Sequence, residues 1–198
     1  MRIKLSGLRR LLKELIANDQ LDVPHYEQQE DWSCGPGAAR EVLLYYGIDI
    51  PEKQLIPAMN ATSENGTEPD DLTAFLNSVP GISAEMKQMT VPELFDCVDS
   101  GVPVIVDLQA NTDNEHTDYR HDYNDGHYVV LTGYKGDKLL FSDPGTKTQG
   151  DYLPVDDLID RWHDLSSSGP VQNLGIIVRK TQGAGKPRPI GGPGKREK

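Results

Sequence analysis

Three short segments carry side chains able to do nucleophilic chemistry. Residues 28–36 read Gln-Gln-Glu-Asp-Trp-Ser-Cys-Gly-Pro, residues 125–130 read Asp-Gly-His-Tyr-Val-Val, and residues 141–145 read Phe-Ser-Asp-Pro-Gly. Proline suits the first turn of a helix and glycine the position just past its end. Pro36 and Gly47 therefore predict a helix over 36–46, with Cys34 at its mouth. Free N–H groups and the helix dipole at such an end favour a thiolate, and thiolate, not thiol, is the nucleophile. Gly35 leaves space for a substrate carbonyl, and Trp32 flanks the same approach. The side-chain amide of Gln28 and the Cys34 backbone N–H can together donate to the oxyanion of a tetrahedral intermediate.

His127 opens an apolar strand beside Gly126, which keeps the approach to the ring open. Asp143 closes a second strand. The Lys-Gly-Asp turn at 135–137 makes the two strands, 127–134 and 138–142, a hairpin. The outer ends of a hairpin meet, so Asp143 can accept a hydrogen bond from His127 and fix its tautomer. Each residue alone is a weak signal: a buried cysteine is usually a small hydrophobe, and Asp-Pro-Gly usually a turn. Together they predict a Cys-His-Asp triad, which is defined by geometry and not by chain order.

The elements that must position these residues follow from periodicity. Ala39, Val42, Leu43 and Tyr46 form one stripe of the 36–46 helix. A short helix is expected over 51–59, and another opening at Thr67 with Leu72, Phe75 and Leu76 inward. A fourth starts at Thr90, where Thr90 and Glu93 match a capping box, and ends at Gly101. Beyond it the pattern changes to strands at 103–109, 127–134, 138–142 and 173–179, with a helix at 154–163. Helices followed by strands predict an α+β domain of two layers, an N-terminal helical layer packed on a C-terminal antiparallel sheet.

Residues 3–18 read as an amphipathic helix with Leu5, Leu8, Leu12 and Leu15 on one stripe. It is expected to pack on the domain, with weak contact to a membrane surface or another protein as the alternative role. The tail, 181–198, is rich in Gly, Pro and Lys and is expected to stay disordered. The division is thus an N-terminal helix (1–20), a catalytic body (21–180) and a basic tail (181–198).

The chain has 198 residues and a formal net charge of -11, with 36% hydrophobic residues and a mean hydropathy of -0.54. No run of about 20 apolar residues is present, so no integral membrane segment is expected. The cations gather at the two ends, which leaves the body strongly acidic and disfavours nucleic acid as a ligand. Two cysteines do not make a disulfide framework; both are expected as thiols in a reducing, cytoplasmic setting.

The pattern Val23-Pro24, Gln28, Cys34-Gly35-Pro36, Gly126-His127-Tyr128-Val129-Val130 and Asp143-Pro144 resembles the bacteriocin-processing peptidase family of the papain clan. The resemblance spans residues 23–165 and is closest to the stand-alone, transporter-free members, since no membrane domain or ATPase follows. It implies a papain-like fold with Cys34 as nucleophile, His127 as base and acid, Asp143 as orienting residue and Gln28 as oxyanion donor. It also implies cleavage of peptide or protein substrates, often after a Gly-Gly pair in a leader peptide, with no metal or organic cofactor. One departure is Gly37, where the family more usually has Ala.

Two rival functions share the same residues: a transglutaminase-like acyltransferase, which hands the thioester to an amine, and a catalytically silent peptide-binding module. Cys97 is expected as a core thiol. His25 could line the cleft. The acidic loop 111–125 either selects cationic substrate residues or is simply solvated. Pro193 after Gly191-Gly192 argues against self-cleavage in the tail.

Overall fold

The computed structural model describes residues 19–110 and 118–181. The predicted N-terminal helix, residues 111–117 of the acidic loop and nearly all of the tail lie outside them.

In chain order the elements are β1 (Asp19–Gln20), α1 (Cys34–Tyr45), α2 (Glu52–Ala58), α3 (Pro69–Ser78), β2 (Ile82–Gln88), α4 (Val91–Asp99), β3 (Val104–Gln109), β4 (Gly126–Lys135), β5 (Lys138–Ser142), β6 (Asp151–Pro154), α5 (Val155–Arg161), β7 (His163–Ser166), β8 (Gly169–Gln172) and β9 (Leu174–Lys180). The main sheet runs β2-β9-β3-β4-β5-β6, and every neighbouring pair is antiparallel. The short β1 adds to the far end of β4, and β7 and β8 form a separate hairpin.

The fold is α+β, but its helices divide between the two faces of the sheet. Val42 and Leu43 of α1, Leu55 of α2 and Leu72 and Leu76 of α3 pack on Ile105, Val130 and Ile176. Leu94 and Val98 of α4 and Leu158 of α5 pack on the opposite face, against Val106, Val129 and Leu131. The strands read as continuous apolar runs because both faces are covered. All six residues of β3 are buried.

Local chemistry explains most boundaries. The capping box at α4 is present, with Glu93 accepting from the Thr90 N–H at 2.8 Å. Gly47 ends α1 in the left-handed conformation, φ 80°. α3 starts later than expected, at Pro69 after Glu68, and not at Thr67. Thr67 is instead buried, and its carbonyl accepts the Tyr128 hydroxyl at 3.0 Å. The sequence reading missed β1, β2, β6, β7 and β8. In β2 the alternation of Ile82, Ala84 and Met86 is diluted by Ser, Glu and Lys.

Candidate active site

The N-terminus of α1 and the start of β4 meet in a cleft of about 420 Å³. Cys34 is the first residue of α1, two residues earlier than the proline predicted. No acidic side chain occupies its first turn, so the helix end keeps its positive potential for a sulfur anion. The residue before it, Ser33, does not cap the helix with its side chain. Its hydroxyl donates to Glu52 Oε1 at 2.6 Å, with the Glu30 carbonyl 2.9 Å away as a second acceptor within reach.

Across the cleft stands His127, 7% exposed at the side chain, with Nε2 2.6 Å from Asp143 Oδ1. Cys34 shares the cleft with this ring and is close enough for each to shift the other's charge. Nε2 is taken by the carboxylate, so Nδ1 is the ring nitrogen still open to a partner. The hairpin register makes this possible. Val130 lies opposite Ser142, so the chain leaving β5 runs beside the start of β4. A bulge between Leu131 and Gly133 gives β4 one extra residue, Thr132, before that point. The Gly145 N–H also donates to Asp143 Oδ1, at 2.7 Å, and holds the carboxylate in place.

Electrostatics follow the contacts. Burial pushes the Cys34 thiol up, but the hydrogen bond and charge of His127, with backbone hydrogen bonds at Tyr128 and Gly35, bring it below its ordinary value. Burial alone would lower His127; the hydrogen bonds to Asp143 and Cys34 overcome this and raise it to about 10. Burial also works against ionised Asp143, and the His127 contact outweighs it, so the carboxyl falls below its usual range. The two partners of each contact move in opposite directions, which is the signature of an imidazolium held between two anions.

Gln28 sits on the segment leading into α1. One N–H of its Nε2 donates to the Glu30 carbonyl at 2.8 Å; the amide has a second. Its backbone N–H donates to the Pro144 carbonyl at 2.8 Å, tying this segment to the Asp143 turn. Trp32 and Gly126 line the cleft. The two glycines have a different reason from the one expected. A Cβ on Gly35 would lie 2.7 Å from Thr67 Cβ, and one on Gly126 would strike the Asp164 carboxylate. Protein, not substrate, fills the space each leaves.

Gly37 proves equally constrained: a Cβ there would lie 2.7 Å from Pro144 Cβ. His25 does not line the cleft. It packs behind Asp143, with Nε2 3.1 Å from the Thr146 carbonyl and Nδ1 3.2 Å from Glu41 Oε1. Cys97 is buried on the α4 face, as a core thiol.

Four acids, three of them buried and Asp164 half-buried, escaped the sequence reading. Glu52 gathers Ser33, the Tyr26 hydroxyl at 2.9 Å and the Gln29 N–H at 3.0 Å, and so fixes the segment that carries Gln28. Glu41 accepts from Ser142 Oγ at 2.7 Å and the Tyr26 N–H at 2.9 Å. Burial pushes it up to about 8. Asp107 and Asp164 lie beside the cleft. The available signal was a charged residue interrupting an apolar run, Glu41 in the α1 stripe and Asp107 between Val106 and Leu108. Among the described residues no cluster of His, Cys, Asp or Glu is arranged to hold a metal ion. No described helix is long and apolar enough to cross a membrane.

The model of the peptidase C39-like family matches residues 20–170. Among solved structures, a C39-like peptidase from Bacillus anthracis is 18% identical, with a TM-score of 0.62, over 81% of this chain and 96% of that one. The peptidase domain of Streptococcus ComA, a bi-functional ABC transporter, is 18% identical with a TM-score of 0.60, over 80% and 99%. A double glycine motif protease from an AMS/PCAT transporter, solved with its leader peptide, is 19% identical with a TM-score of 0.60, over 82% and 94%. At these identities the likeness is one of fold. A search of curated proteins gives no match.

Proposed function

The chain belongs to the peptidase C39-like family of cysteine peptidases, and we propose that it hydrolyses peptide bonds through Cys34, His127 and Asp143. The observation that carries this is the 2.6 Å contact from Asp143 to a His127 ring that lines one cleft with Cys34, itself at a helix N-terminus.

In the proposed cycle the Cys34 thiolate attacks the substrate carbonyl carbon, forming a C–S bond. The carbonyl electron pair moves to oxygen, where the second N–H of Gln28 and the Cys34 backbone N–H hold it. A preorganised donor of this kind is worth about 10²–10³ in rate. The intermediate collapses with loss of the C–N bond, and imidazolium His127 gives its proton to the leaving amine. Water then attacks the thioester, His127 takes its proton, and the acid product leaves as the C–S bond breaks. Asp143 keeps the ring oriented and stabilises its charged form throughout. The leader peptide in complex with the AMS/PCAT protease supports a peptide as substrate here too. Both cysteines are free thiols, which supports a reducing, cytoplasmic setting, with residues 21–180 as the catalytic body.

The test is incubation with a peptide library, with Cys34→Ala as control, read by mass spectrometry. Fragments carrying one added water and absent from the control are expected. Products carrying an added amine instead would mean acyl transfer, and binding without turnover or a covalent adduct would mean a silent module.

A further inference from the structure

Asp107 is a carboxyl without an evident structural task. It lies on β3 opposite Tyr128, is 3% exposed, and its Oδ1 has no hydrogen-bonding partner. It hydrogen-bonds the side chain of Asp164 and is near enough to Cys34 and His127 to feel both charges. Asp164, on β7, lies against Gly126 in the space a side chain would fill. Gln109 Nε2 donates to its Oδ1 at 2.9 Å.

Asp164 lines the cleft together with Cys34 and His127. Asp107 does not itself line the cleft; it stands buried behind Asp164, within reach of the charges of Cys34 and His127. Burial first, and then the neighbouring carboxyl, raises Asp107 well above its ordinary value, while burial also raises Asp164. Two carboxyls in contact share one proton, so the pair keeps one negative charge. Asp31, Glu64 and Asp125 line the rest of the cleft, and the one basic side chain among its described lining residues is His127. A cationic group entering this cleft would therefore meet carboxylates on several sides, with Asp164 beside the catalytic pair.

We propose that Asp164, backed by Asp107, forms a subsite that selects a cationic side chain of the peptide substrate, with arginine favoured over lysine. A guanidinium presents a planar fork of donors that can engage Asp164 together with a second acid of the lining, whereas an ammonium is a point charge. A subsite built for glycine would have no use for these acids. The proposal rests on the peptidase reading above for its site and for the nature of its ligand.

The experiment uses octapeptides in which each position in turn is arginine or its neutral isostere citrulline. Charge-assisted hydrogen bonds of the usual strength predict that at one position arginine exceeds citrulline by about 10–100-fold in kcat/KM, mainly through KM. Asp164→Asn is expected to bring that ratio close to one, whatever its absolute rate. Calorimetric titration of the same peptides into Cys34→Ala should show the same preference in affinity. Cleavage of arginine and citrulline peptides at equal rates at every position would overturn the subsite and leave the peptidase reading intact. If no peptide is cleaved, that reading fails, and the titration still decides: a preference for arginine supports the subsite, and equal affinities overturn it. Should Asp164→Asn not fold, the wild-type ratio and its loss or survival in Asp107→Asn decide the matter in the same way.

Discussion

Replacing Asp143 by Asn keeps the shape of the orienting group and removes its charge. The contact it makes is short, 2.6 Å, and lies between side chains only 7% and 13% exposed, so solvent screens it little. A hydrogen bond to a charged group contributes about 1.5–3 kcal/mol, and one pH unit corresponds to about 1.36 kcal/mol. The sign follows from what the charge does. Asp143 favours the protonated ring and holds His127 up at about 10. Without the charge, the alkaline limb of the kcat/KM profile should move toward acid by roughly one to two pH units. The loss should accordingly be uneven, small at pH 7 and about two- to tenfold greater near pH 9. Hydrolysis of a cleaved peptide across this range measures it. An NMR titration of the His127 ring in the free enzyme gives the same quantity without substrate. An Asp143→Asn profile that falls uniformly at every pH, with its alkaline limb unmoved, would refute the coupling of Asp143 to the ring charge.

Other perturbations follow from the same packing. Gly37→Ala should push Pro144 away from α1, lowering stability by about 1–3 kcal/mol and reducing kcat; unchanged melting and turnover would show that the 144 turn is free to yield. Glu52→Ala removes the acceptor of the Tyr26 hydroxyl and the Gln29 N–H and turns the Ser33 hydroxyl to the Glu30 carbonyl, so the denaturant midpoint should fall by an amount equivalent to about 1–2 kcal/mol, and Glu52→Gln should lose less. Glu41, at about 8 in the folded chain against an ordinary 4.5, binds its proton more tightly when folded. Its contribution is therefore full below the ordinary value and is lost as pH rises toward 8, with a slope of at most about 1.4 kcal/mol per pH unit. Denaturation of Glu41→Gln should show that slope reduced; an unchanged slope would place the titration elsewhere.

The elements that the sequence reveals best are those with strong local signals. The capping box at Thr90, the Pro36 and Gly47 brackets of α1 and the apolar runs of β3, β4 and β9 all predict elements within a residue or two. The Cys34, His127 and Asp143 segments were legible because each joins a reactive side chain to an element boundary. What stayed hidden depends on tertiary contact. Asp164 carries no spacing signal, and its position matters only because β7 folds back over Gly126. Periodicity alone could not assign α4 to the far face of the sheet, because an apolar stripe does not say which face it will meet. The glycines at 35 and 126 were visible as small residues, but their actual neighbours, Thr67 and Asp164, are remote in sequence.

The extra residue in β4 has a further consequence. In a strand, a shift of one position turns each side chain to the opposite surface. The turn at 135–137 fixes one end of the hairpin, so the number of residues back to His127 decides on which side Asp143 emerges. Thr132 supplies the odd step, and its carbonyl also receives the Leu21 N–H at 2.6 Å, anchoring the strand that leads to Gln28. Single-residue insertions or deletions between 127 and 143 should therefore abolish turnover even where the sheet itself survives, while paired changes on both arms of the hairpin should be tolerated.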